Sequence, residues 1–94
     1  MNNLRFTYIL LIATNAFKRE LLDILSAAAE VPGITSTVVI NGRDSDAVRQ
    51  QYLDAAPPGN ARFLATPVKG KSLALNLYIR ELEDPDTFII FTDY

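Results

Sequence analysis

A chain of 94 residues, 49 percent apolar and 21 percent charged, has the composition of one small globular domain, and that balance excludes intrinsic disorder. Nine Lys and Arg against eleven Asp and Glu, spread along the chain, give a net charge of -2 and argue against nucleic acid as a partner, since phosphate-backbone binding rests on clustered cations. Cysteine and histidine do not occur, so thiol chemistry is out and any metal must sit among oxygen ligands, which suits Mg or Mn better than zinc.

No stretch reaches the roughly 20 apolar residues of a bilayer span. Arg5 followed by the apolar run Phe6 to Ala13 has the outline of a signal-peptide core, but at the short end of the ~7 to 15 residues such a core needs. The expected compartment is the cytoplasm, with peripheral attachment to a membrane surface as the alternative.

Phe6 to Ala13 is nearly continuous apolar sequence with aromatic and β-branched residues, which predicts a central strand covered on both faces and paired in parallel. Phe17 to Glu30 places Phe17, Leu21, Leu22, Ile24, Leu25, Ala28 and Ala29 at helical spacing, with Asn15 as the expected N-cap and Pro32-Gly33 as the stop. Thr35 to Ile40 predicts a second strand, running into the polar loop Asn41-Gly42-Arg43-Asp44-Ser45-Asp46. Asp44 or Ser45 then caps a second helix to about Ala56, with Val48, Tyr52 and Leu53 inward, before Pro57-Pro58-Gly59.

Ala61 to Ala65 predicts a short third strand. Gly70-Lys71-Ser72 opens a third helix, Leu73 to Leu82, whose Leu75, Tyr78, Ile79 and Leu82 recur at i, i+3, i+4 and i+7. The run Thr87 to Tyr94 is a fourth strand carrying Asp93 at its carboxyl end. The alternation βαβαβαβ, with short right-handed connections, predicts an α/β fold: an open parallel sheet, Rossmann-like, of strand order 3-2-1-4 with helices on both faces. The order reverses between the first and fourth strands, so a ligand crevice is expected among Ala13 to Asn15, Asn41 to Asp44 and Asp93.

The turn Ala13-Thr14-Asn15-Ala16 lacks the glycines through which a dinucleotide fold lets backbone approach a pyrophosphate, so NAD and FAD are not expected. Ala65-Thr66-Pro67-Val68-Lys69-Gly70-Lys71-Ser72 is a phosphate-binding P-loop but for Ala65 in place of the first glycine, which leaves a degenerate P-loop nucleotide binder as one alternative. A flavodoxin-like interaction module that binds no nucleotide is another.

Taken together, Ala13-Thr14, the Asn41 to Asp46 loop, Gly70-Lys71-Ser72-Leu73-Ala74-Leu75-Asn76 and Asp93-Tyr94 resemble the amino-terminal nucleotide-binding half of a family 2 glycosyltransferase of the A-type fold. In that family the corresponding places hold a Pro-Thr-like turn, an Asp-Asp-Gly-Ser-like loop, a Gly-Lys-x-x-Ala-Leu-Asn helix and an Asp-x-Asp metal motif. The resemblance implies a nucleotide-diphospho-sugar donor and a divalent cation, Mg or Mn. Thr14 would lie against the base, Asn41 would read the base edge where the family has an aspartate, and Asp44 would belong to the same loop. Lys71 would contact phosphate, and Asp93 would hold ribose or the metal. It also implies a domain spanning 1–94 and incomplete at its carboxyl end, without the second metal acid or the catalytic base, so that no transferase turnover is expected of it. The fourth strand is then an open sheet edge through which copies could associate.

Overall fold

Parallel strands need crossover connections, and helices are the usual ones, so the alternating pattern above dictates a layered arrangement. In the computed structural model the described residues are 7–70 and 87–93. Their elements are β1 (Thr7–Thr14), α1 (Arg19–Ala29), β2 (Ile34–Asn41), α2 (Ser45–Asp54), β3 (Ala61–Thr66) and β4 (Thr87–Asp93). The strands form one sheet of order β3-β2-β1-β4, and every pairing is parallel. Fold class, strand order and strand direction are therefore those read from the sequence. The predicted helix Leu73 to Leu82 lies outside the described residues.

Side chains alternate across a strand, and here the alternation divides two cores. Ile12 of β1, Val38 and Ile40 of β2 and Phe63 of β3 share one face with Leu21 and Leu25 of α1 and Tyr52 of α2. Leu10, Phe17, Leu22, Ile24 and Val48 pack around them. Ile9, Leu11 and Val39 form the other cluster, with Leu64 and Ile89 against it. Apolar residues on both faces are what a continuous apolar run encodes, and each fully buried Leu or Ile contributes about 1.5 to 3 kcal/mol.

The helix ends show where local signals yield to tertiary ones. Asn15 does not cap α1. The N-cap is Lys18, an extended residue whose side chain makes no capping bond. Its N–H is instead taken by the phenol of Tyr52, 34 residues away. At the other end the Glu30 N–H closes on the Ala27 carbonyl and the Val31 N–H on that of Ala28, and Gly33, at φ +83°, turns the chain into β2. Helix α2 stops at Asp54 rather than Ala56, because Ala56 takes a left-handed conformation at φ 54° ahead of the two prolines. Leu53, expected inward, is 40 percent exposed: the buried stripe of α2 is Ser45, Val48 and Tyr52, and Leu53 sits about 100° around the helix from it.

Candidate functional site

Three connections leave the carboxyl edge of the sheet: 15–18 after β1, 42–44 after β2 and the segment starting at Pro67 after β3. β4 ends at the same edge. Ala13 is in register with Asp93, Thr14 with Ile40, and Asn41 with Thr66. Across the edge the chain therefore presents, in spatial order, Thr66, Asn41, Thr14 and Asp93. Adjacent strands lie about 4.8 Å apart and the register offsets the two residues by two positions, so Asn41 and Asp93 are separated by about 12 Å with β1 between them. The reversal of strand order falls between β1 and β4, the position where open α/β sheets take ligands.

The β1–α1 turn is built tightly. Thr14 is fully buried, and its hydroxyl donates to the Ala16 carbonyl (3.1 Å) and accepts the Ala16 N–H (3.3 Å). Tyr52 closes the turn from α2: its phenol donates to the same Ala16 carbonyl (2.8 Å) and accepts the Lys18 N–H (2.9 Å). Its ring lies between Phe17, with centroids 4.8 Å apart, and Phe63, at 5.3 Å. Burial pushes the Tyr52 phenol above its ordinary value, against the opposing pull of the Lys18 N–H and the Thr14 hydroxyl; the Glu20 carboxylate adds to the rise. Thr14 thus holds the turn from beneath, and the exposed residue at the rim is Asn15.

The second and third connections are laced together. The Gly42 N–H donates to two carbonyls, Thr66 at 3.0 Å and Val68 at 3.1 Å, and Gly42 sits at φ +111°, where a side chain would be strained. The Val68 N–H donates to the Thr66 hydroxyl at 3.3 Å, and the Ser45 N–H to the Gly42 carbonyl at 3.2 Å. Between these fixed turns lies Asn41, only 6 percent exposed, with a buried amide oxygen that has no hydrogen-bond partner. The other such oxygens among the described residues, on Ser36 and Asn60, belong to the opposite, amino edge of the sheet.

Asp44 is exposed at the N-cap of α2 and makes no capping bond with its side chain, which leaves its carboxylate at the rim. Asp93 closes β4 at the switch point. Lys71 lies outside the described residues. Among the described residues no three His, Cys, Asp or Glu side chains gather around a common point, and no helix is long and apolar enough to cross a membrane. Pattern reading counted Tyr52 as core and missed its phenol. The available signal was an inward tyrosine, since buried tyrosine hydroxyls find polar partners. No protein-family model matches the chain, and no curated protein or solved structure matches it either.

Proposed function

We propose that the carboxyl edge of this sheet binds the nucleotide portion of a nucleotide-diphospho-sugar together with a divalent cation, as the donor side of a glycosyltransferase-like domain. The observation that carries this reading is Asn41. A buried polar oxygen without a partner costs about 1 to 3 kcal/mol, and this one lies covered at the carboxyl edge, where a donor on a nucleobase would satisfy it once that cover opens. Asp93, two strands away at the switch point, is the carboxylate for the cation. A magnesium or manganese ion binds through one or two carboxylates plus phosphate oxygens, so a single strand-end acid fits it without an all-protein cage. Bound there, the cation would supply charge neutralisation for a diphosphate leaving group. Asn15 and Asp44 line the rim, Thr14 and Tyr52 hold the turn beneath, and Lys71 is assigned to phosphate.

Two features weigh against the P-loop alternative. The loop after Ala65 follows β3, an outer strand remote from the switch point, and its Val68 N–H is turned onto Thr66, away from any phosphate.

The test is an amide NMR titration with UDP, GDP and ATP, each with magnesium. Shifts at Asn15, Asn41 and Asp93 with a nucleoside diphosphate, weakened by Asp93→Asn when magnesium is present and unaffected by that substitution in EDTA, are the expected result. Shifts confined to residues 65–72 with ATP, or a folded spectrum that no nucleotide perturbs, would overturn it.

A further inference from the structure

The two outer strands of the sheet are treated differently. At β3, Arg49 reaches across from α2 and its Nε donates to the Phe63 carbonyl at 2.8 Å, while Arg62 stands exposed on the strand. A side chain bonded to the edge and a charge upon it are the means by which proteins keep a sheet edge from recruiting another strand. At β4 neither occurs among the described residues. Its sequence, Thr87-Phe88-Ile89-Ile90-Phe91-Thr92-Asp93, has no charge before its last residue and no proline, and its one neighbour among the described residues is β1. Ile90 is 45 percent exposed on the face that carries α1 and α2, beside half-buried Leu10 with which it is in register; Tyr8, on the same face of β1, is also exposed.

We propose that β4 pairs antiparallel with β4 of a second copy, about a two-fold axis through Ile90, so that one continuous sheet runs through both copies. The strand is self-complementary about that axis. Ile90 meets its own counterpart, Ile89 meets Phe91, Phe88 meets Thr92, and Asp93, the single charge, meets Thr87 and never another acid. Like charges opposed across a pair would be destabilising, and apolar and β-branched pairs favour it. A two-fold axis normal to the sheet keeps the faces that carry α1 and α2 on one side, which covers Ile90 with its counterpart and leaves the Tyr8 and Leu10 strips on that same face, about 14 Å apart across the two β4 strands. The antiparallel arrangement also sends the two Asp93 ends in opposite directions and leaves both carboxyl edges open. With β3 blunted, the assembly closes at two copies, as an isologous contact requires.

The absence of cysteine makes a direct test available. Directly opposed residues of antiparallel strands have Cα atoms about 4.5 or 5.5 Å apart, within the roughly 4.4 to 6.8 Å that a disulfide spans. Ile90→Cys is therefore expected to cross-link to a covalent dimer under mild oxidation, and Leu53→Cys, comparably exposed on α2, to remain monomeric. Wild-type chain should sediment at twice the chain mass in the micromolar range, and Ile90→Lys, which opposes two cations at the axis, should weaken association about tenfold or more. A wild-type monomer throughout that range, cross-linking of Leu53→Cys as fast as Ile90→Cys, or assemblies larger than two would each overturn the proposal.

Discussion

Tyr52→Phe removes a single oxygen and leaves the aromatic stack with Phe17 and Phe63 in place. That oxygen donates to Ala16 and accepts from Lys18. The Ala16 carbonyl keeps the Thr14 hydroxyl as a donor, so the larger loss falls at Lys18. A net hydrogen bond contributes about 1 kcal/mol, and the deficit at a half-buried amide adds to it, so the substitution should cost about 1 to 2 kcal/mol. In a domain of this size each kcal/mol lowers Tm by about 4 to 8 °C. Thermal and urea unfolding followed by far-UV circular dichroism measure the change, and the urea m-value should stay constant. Alkaline pH supplies a second arm. The native phenol titrates above the unfolded one, so the unfolded state loses its proton first as pH rises past about 10 and stability falls; below that pH the contribution is fully present. Tyr52→Phe should remove that part of the alkaline loss. An unchanged Tm, or the same alkaline slope in wild type and variant, would refute the reasoning.

Asn41→Val replaces a buried, unpaired amide with a β-branched apolar group; urea unfolding should show stability unchanged or raised by about 1 kcal/mol, and the nucleotide-induced shifts should vanish. Gly42→Ala meets no atom within 4 Å, so its cost is conformational, about 1 to 3 kcal/mol at φ +111°, whereas Ala56→Gly, relieving a left-handed alanine, should gain about 0.5 to 1 kcal/mol; both are read from urea midpoints at constant m. Arg49→Ala removes the bond to Phe63, costs about 1 to 2 kcal/mol in the same assay, and unblocks β3, so light scattering should detect assemblies larger than the dimer.

Legibility followed the range of the determining interaction. The four strands were visible because an apolar run with β-branched and aromatic residues reports burial directly, and their order followed from connection lengths and crossover hand. Leu21, Leu25 and Tyr52 declared themselves by helical spacing. The start of α1 was not legible, since Asn15 has the chemistry of a cap but Lys18 receives its partner from α2. Leu53 was misplaced because α2 is a polar helix, and one apolar residue beside its narrow stripe reads as an extension of it. At the site, the sequence located Asn41 at the end of β2 but not the burial of its amide, which depends on how the flanking loops close over it. It gave Thr14 a ligand-facing part, whereas the Thr14 hydroxyl is spent on its own turn.

The shared Gly42 amide makes the loop after β2 and the exit from β3 a single opening unit. Neither can swing away without surrendering the bonds from the Gly42 N–H to the Thr66 and Val68 carbonyls, so the Gly42 and Val68 amides should exchange hydrogen together, as one cooperative event, and not as two independent loops. A ligand that reaches the covered Asn41 oxygen must therefore part both segments in that one event.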